Sequence, residues 1–224
     1  MEFSHLIGRG VDKRDIVLDN QDRARFIHDL YVFNDLNPTP NFILNERHEE
    51  GRKRECLVDI HAFCLMRNHY HLLVSERAEG GLPLFMRKMN MGYTKYFNEK
   101  YERSGALWQG KYRKVLIKRD AHFLYIPFYI HLNPLDYTYP AWRQGKVLNS
   151  NKAIVELSKY RWSSYLDYSG VHNFPSLTRR SLLSEIMGLR AAQERTIADI
   201  ISSPDLASSS TQIEYPEKLG HPMS

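Results

Sequence analysis

The sequence predicts an α+β fold in which helices pack on a sheet that contains antiparallel strands. Four apolar, strand-like runs occur, at residues 3–11, 55–66, 69–75 and 113–118. Three segments with apolar residues at helical spacing are interleaved with them, at residues 21–35, 82–101 and 120–133. The order strand, helix, strand, strand, helix, strand, helix is typical of a ferredoxin-like antiparallel sheet, and we expect the helices on one of its faces.

Local signals mark the ends of these elements. Asp19 or Asn20 can cap the first helix, and Asn-Pro-Thr-Pro at 37–40 ends it. The charged stretch 45–54 predicts a solvated loop. A turn near Arg67-Asn68 makes the second and third strands a hairpin, and Gly80-Gly81 opens the second helix.

The composition of the chain changes after the third helix, which is predicted to end at Asn133-Pro134. We therefore predict a main domain over residues 1–140 and a C-terminal extension, mostly helical, over residues 141–201. Residues 202–224 are rich in Ser and Pro, which predicts a disordered tail.

Composition restricts the class of protein. Lys and Arg number 31 against 26 Asp and Glu, a formal charge of +5 that permits a polyanionic partner without requiring one. No apolar run approaches the roughly 18 residues that a membrane span needs, and the N-terminus lacks a secretory signal. Two cysteines do not make a disulfide framework, so we expect a cytoplasmic protein.

The most informative segment is residues 66–74, Met-Arg-Asn-His-Tyr-His-Leu-Leu-Val. Side chains on a strand alternate between faces, so His69 and His71 point the same way and Tyr70 the other. Two imidazoles on one face can bind one divalent cation. The alternative is a pair of half-buried histidines, and the pair alone does not decide between the two.

Tyr129 and Asn133 offer the remaining groups of a site. They are four residues apart and share one face of a helix. If that helix packs beside the histidine strand, Asn133 can complete a site with mixed nitrogen and oxygen ligands, which suits Mg²⁺ or Mn²⁺. Tyr129 would lie beside a phosphate polarised by the metal and act as nucleophile. Two alternatives stay open: Tyr129 as a core residue, and Asn133 as a helix cap.

These residues resemble the single-tyrosine HUH transposases, most closely their REP-associated branch. The resemblance rests on five ordered motifs. They are His5-Leu-Ile-Gly-Arg-Gly10, Asn68-His-Tyr-His-Leu-Leu-Val74, Gly105-Ala-Leu-Trp-Gln-Gly-Lys-Tyr112, Tyr129-Ile-His-Leu-Asn-Pro134 and Trp162-Ser-Ser-Tyr165. Two departures stand out: Pro127 lies inside the nucleophile helix, and Leu135-Asp-Tyr-Thr-Tyr139 replaces the usual small and basic residues.

The resemblance implies that residues 1–140 form a catalytic domain that cleaves and rejoins single-stranded DNA at hairpin-flanked sites. It implies a 5′-phosphotyrosine intermediate on Tyr129, with His69, His71 and Asn133 as ligands of Mg²⁺ or Mn²⁺. No nucleotide cofactor is expected. A monomer is favoured, with a dimer that exchanges its nucleophile helix as the alternative.

Basic residues near the motifs are candidates for phosphate contacts, although each alone is ordinary solvated surface. They are Arg87, Lys88, Lys95, Lys111, Arg113, Lys114, Lys118 and Arg119. Two rival functions remain: a metal-dependent phosphodiesterase in which water attacks, and a non-catalytic module that binds DNA hairpins.

Overall fold

A computed structural model describes residues 1–37 and 54–206. The predicted charged loop at 45–54 lies outside these residues except for Arg54, and so does most of the predicted tail at 202–224.

A four-stranded sheet forms the centre of the molecule. Its strands are β1 (Phe3–Arg9), β2 (Val58–Leu65), β3 (His69–Glu76) and β4 (Arg113–Ile117). They lie in the order β2-β3-β1-β4, and every neighbouring pair is antiparallel. Helix α1 (Asn20–Val32) joins β1 to β2, and α2 (Gly81–Lys100) joins β3 to β4. This is the connectivity and strand order of a ferredoxin-like sheet, and the predicted fold class is confirmed.

The two faces of the sheet bury separate cores. Leu6, Leu72 and Val74 pack against α1 and α2 on one face. Leu73 and Cys64, which alternate with such residues along the strands, pack against α3 (Asp120–Leu132) on the other face. The expectation that the helices share one face was therefore wrong for α3. Every residue of α3 from 126 to 132 is buried, so its sequence carries no polar stripe that would indicate its orientation.

The C-terminal extension packs on the same face as α3. Two 3₁₀ turns, at Asn133–Tyr137 and Pro140–Gln144, lead from α3 into it, and its helices are α4 (Ser150–Lys159), α5 (Tyr165–Tyr168), α6 (Ser181–Met187) and α7 (Arg190–Ser202). Leu157, Leu183 and Ile197 belong to one buried cluster with Ile130. The extension and α3 therefore share a single core.

The motif at residues 162–165 covers the outer edge of the sheet. The Leu65 amide donates to the Trp162 carbonyl at 2.9 Å, and the Ser164 amide donates to the Phe63 carbonyl at 3.0 Å. These bonds satisfy backbone groups that an edge strand would otherwise expose. The motif thus has a structural role in holding the extension to β2.

Within residues 1–37 and 54–206, no helix is long and apolar enough to cross a membrane.

Candidate active site

His69 and His71 lie on the face of β3 that packs against α3. In the strand register His71 is opposite Ile7, and His69 is opposite Arg9. Tyr70 points to the other face, where its ring lies 5.2 Å from that of Phe26. The ring centroids of the two histidines are 5.0 Å apart. The prediction that both imidazoles share a face is thus reproduced.

Each of the two histidines is held through its Nδ1 atom. His71 Nδ1 lies 2.9 Å from Nε2 of His5, which is fully buried on the neighbouring strand β1. His69 Nδ1 lies 2.7 Å from the side-chain oxygen of Asn68. The Nε2 atoms are therefore the nitrogens left to coordinate a metal, in the arrangement that outer hydrogen bonds give to metal-binding histidines.

Burial keeps these imidazoles neutral. It lowers the pKa of His69 to about 4, with a further contribution from Arg9, and that of His5 to about 3, with further contributions from His122 and Arg113. The pKa of His71 is lowered well below its ordinary value, first by burial and then by the neighbouring histidines. Neutral imidazole is the form that binds metal.

Helix α3 brings Tyr129 to the histidines. The Tyr129 ring lies edge-on to His71 at 5.7 Å and to His5 at 5.9 Å between ring centroids. Its side chain is 4% exposed. Asn133 follows the last residue of α3, and its Nδ2 donates to the Tyr129 carbonyl at 2.8 Å. That bond is the capping role that the sequence left open for Asn133, and its Oδ1 atom stays available to a second partner.

The second partner is Arg143, which sequence reasoning missed. Its Nη2 donates to Asn133 Oδ1 at 2.9 Å, and its Nη1 donates to the Tyr129 hydroxyl at 3.2 Å. Asp136 accepts two further bonds from the same guanidinium, at 3.0 and 2.8 Å. No periodicity links these positions, because the contacts arise where the 3₁₀ turns fold back on α3. The acidic residue at position 136, where the family usually has small or basic residues, was the only sign in the sequence of these contacts.

The chemistry of the donor set fits a divalent cation with open positions. Within the described residues, no three His, Cys, Asp or Glu side chains are grouped to hold a metal ion. Two imidazoles and one neutral oxygen, that of Asn133, remain as the candidate ligands. A cleft of about 380 Å³ opens beside His69 and is also lined by Asn68 and Asp136.

The candidate DNA-contacting residues separate between the two faces. Arg113 of β4 pairs with Ile7 of β1, which in turn pairs with His71, so Arg113 shares the face of the histidines. Lys114 points to the other face. Arg87, Lys88 and Lys95 are on α2, which packs on that other face. Lys88 donates to the Asp35 carbonyl at 2.6 Å. Lys111, Lys118 and Arg119 are exposed next to β4.

A comparison with protein families finds a match that overlaps the candidate site. The family model described as "Transposase IS200 like" matches residues 46–133. This match covers less than half of the chain. Over these residues, the resemblance to transposases that the motifs predicted is confirmed. The matched segment contains His69, His71, Tyr129 and Asn133, whereas His5 and Arg143 lie outside it.

The chain is also similar to a solved structure. It is described as "Structure of the REP associates tyrosine transposase bound to a REP hairpin". The match has 14% sequence identity and a TM-score of 0.45, and it covers 80% of this chain and 89% of that one. A search of curated proteins found no match.

Proposed function

We propose that this protein cleaves and rejoins single-stranded DNA through a covalent bond to Tyr129. One observation carries the proposal: the Tyr129 ring contacts the imidazole of His71, and its hydroxyl accepts a hydrogen bond from the guanidinium of Arg143. A phosphate that enters beside the histidines would meet the phenol oxygen, with positive charge next to the attacking atom. The match of residues 46–133 to the IS200-like transposase model supports this role.

The reaction is a transesterification. The Tyr129 oxygen forms a bond to the phosphorus of a phosphodiester, and the bond from phosphorus to the 3′ oxygen breaks. The phenolic proton departs as the new bond forms, and the leaving 3′ oxygen takes up a proton. One strand end thus carries a 3′-hydroxyl, and the other is joined to Tyr129 through its 5′ phosphate. Attack by another 3′-hydroxyl reverses these steps and joins two strands.

We propose His69, His71 and Asn133 as the residues that hold Mg²⁺ or Mn²⁺. The ion, when bound, acts as a Lewis acid on a phosphate oxygen. His5 and Asn68 would fix the ring orientation of the two histidines through their Nδ1 atoms. The side-chain oxygen of Asn133 has two lone pairs, so it would hold the cation through one of them while it accepts from Arg143 through the other.

The proposed substrate is single-stranded DNA flanked by hairpins, as the motif resemblance implies. Arg9 and Arg113 share the sheet face of the histidines, so they are the basic residues best placed to contact phosphates beside the reacting bond. The basic residues of α2 and Lys114 are on the other face. They can contact DNA only where it extends around the sheet.

The test is formation of a covalent adduct. The protein is mixed with a labelled library of hairpin-bearing single strands and Mn²⁺ or Mg²⁺, and the products are resolved on a denaturing protein gel. We expect a metal-dependent shifted band that disappears in Tyr129→Phe and in the double variant His69→Ala/His71→Ala. Tyr125→Phe is the matched control, because it removes a hydroxyl one turn earlier on the same helix and should keep the band.

The two rival functions predict other results. Cleaved DNA without an adduct, unaffected by Tyr129→Phe, would show that water is the nucleophile. Hairpin binding with no cleavage under any metal condition would show a binding module. Either outcome contradicts the proposal.

A further inference from the structure

The turn Pro140–Gln144 delivers an arginine to the nucleophile from outside the matched transposase segment. Arg143 contacts three side chains there, those of Tyr129, Asn133 and Asp136. Its side chain is 22% exposed, so these contacts are partly shielded from water. Tyr129 of α3 is the proposed nucleophile, and Asn133, which follows α3, is the proposed third ligand.

The orientation of the guanidinium is fixed on its far side. Asp136 accepts from both Nε and Nη2 of Arg143, which is a bidentate arrangement that sets the plane of the group. Asp136 is itself held by the indole N–H of Trp142 at 2.7 Å. The remaining donors are therefore directed to α3. A lysine has no planar fork and cannot reproduce these contacts together.

The turn is also tied to the end of the extension. The amide of Val147 donates to the carbonyl of Ile201 in α7 at 3.0 Å. Gly145 has a positive φ of 64°, and a Cβ atom there would lie 2.2 Å from the carbonyl carbon of Ser203. Close packing of the turn on the last helix thus sets the position of Arg143.

We propose that Arg143 is a positioning residue that aligns the Tyr129 hydroxyl with the Asn133 side chain for attack on DNA, so that the C-terminal extension completes the active site. This inference rests on the proposed function. A phenol ring can rotate away from an attack line, and a hydrogen bond from a fixed donor holds its oxygen in place. Loss of alignment by about 1 Å costs roughly a hundredfold in rate.

The experiment is single-turnover adduct formation, measured as a function of DNA concentration in Arg143→Ala and Arg143→Lys. This separates the rate at saturating DNA from the DNA concentration at half-saturation. Arg179→Ala is the matched control, because Arg179 is also in the extension and pairs with a buried aspartate, Asp59, at 2.9 Å. Circular dichroism and the melting temperature report whether each variant folds.

We expect the rate of Arg143→Ala at saturating DNA to fall roughly a hundredfold. The DNA concentration at half-saturation should stay within about twofold of that of the unaltered protein. Added guanidinium ion at millimolar concentration should restore part of the rate in the alanine variant. Arg143→Lys should stay well below the unaltered protein, and Arg179→Ala should match it. If Arg143→Ala does not fold, the lysine variant carries the test. An unchanged saturating rate, full rescue by lysine, or an effect confined to half-saturation would overturn the inference.

A second measurement separates this inference from the proposed function. Tyrosine labelled with ¹³C at Cζ gives one resonance for each of the 14 tyrosines, and Tyr129→Phe identifies that of Tyr129. The Tyr129 resonance should move in Arg143→Lys and stay in place in Arg179→Ala. If the unaltered protein forms no adduct, the proposed function fails. An unmoved resonance in Arg143→Lys shows instead that Arg143 does not hold the hydroxyl.

Discussion

At the scale of single residues, the position of the proton on the His71 ring decides whether its Nε2 atom can bind a metal. A metal on Nε2 requires the proton of the neutral ring to be on Nδ1. His5 Nε2 lies 2.9 Å from that atom and can accept this proton, and the two rings stack with centroids 5.1 Å apart. If His5 accepts this proton, His71 keeps its Nε2 atom free to coordinate.

His5→Phe keeps a ring in this buried position and removes the acceptor. We expect the affinity for Mn²⁺ to fall tenfold to roughly a hundredfold, as is usual when an outer hydrogen-bond partner of a ligand is lost. Isothermal titration calorimetry on the protein without DNA measures this directly. His172→Phe, at an exposed position, is the control. Unchanged Mn²⁺ affinity in a folded His5→Phe protein would show that His71 does not depend on His5.

At the scale of elements, α1 is joined to α2 by one buried carboxylate. Asp22, in the first turn of α1, accepts hydrogen bonds from Lys100 at 2.7 Å, Tyr101 at 2.7 Å and Tyr96 at 2.9 Å. Burial alone raises the pKa of Asp22, but these bonds and that from the Leu18 amide outweigh it and leave the pKa below its ordinary value. The charged form is therefore the one that holds the two helices together.

A lowered pKa in the folded state has a defined effect on stability. The contribution of Asp22 is complete above the unfolded pKa of about 3.9 and is lost as the pH falls towards the folded value. Asp22→Asn should reduce the free energy of unfolding at pH 7 by about 2–3 kcal/mol, since Lys100 keeps a second partner in Asp19. Urea unfolding between pH 7 and pH 3 measures both effects. If the free energy of unfolding of Asp22→Asn falls with pH as steeply as that of the unaltered protein, carboxylates other than Asp22 control the acid dependence.

The helices and strands also show how much of the fold can be predicted from sequence patterns. Strands and helices were predictable because apolar residues recur at periods of 2 and 3.6, and Asp19 caps α1 as its position indicated. The face on which α3 packs was not predictable. Helix α3 follows the last strand, and every residue from Ile126 to Leu132 is buried, so the pattern of apolar residues does not indicate which side of the helix faces the sheet. The face of the sheet that α3 covers depends on its contacts with the extension, and these contacts cannot be predicted from a local sequence pattern.

The candidate site divides in the same way. His69 and His71 could be placed on one face from strand geometry, and Tyr129 and Asn133 on one helix face from their spacing. Arg143 could not be placed, because it reaches the site through two irregular turns whose geometry is set by packing on α7. Residues that a regular element positions can be inferred from the sequence, whereas those positioned by tertiary packing require the structure.

At the scale of the whole molecule, a single chain contains every group of the proposed site. Tyr129 lies against His71 of the same chain, and the extension that follows α3 packs back on the sheet that carries the histidines. Exchange of α3 between two copies would have to separate it from this shared core. We therefore propose a monomer in which the nucleophile acts within its own subunit.

Subunit mixing tests that arrangement. Tyr129→Phe lacks the nucleophile, and His69→Ala/His71→Ala lacks two proposed ligands, so neither protein alone should form an adduct. If the nucleophile acts within its own chain, a mixture of the two should also form none, because no chain contains an intact site. Co-expression and refolding of the mixture give any exchanged dimer time to assemble, and native mass spectrometry reports the oligomeric state. Restoration of up to about half of the normal adduct per dimer, as one intact composite site would give, would show that α3 is exchanged between subunits.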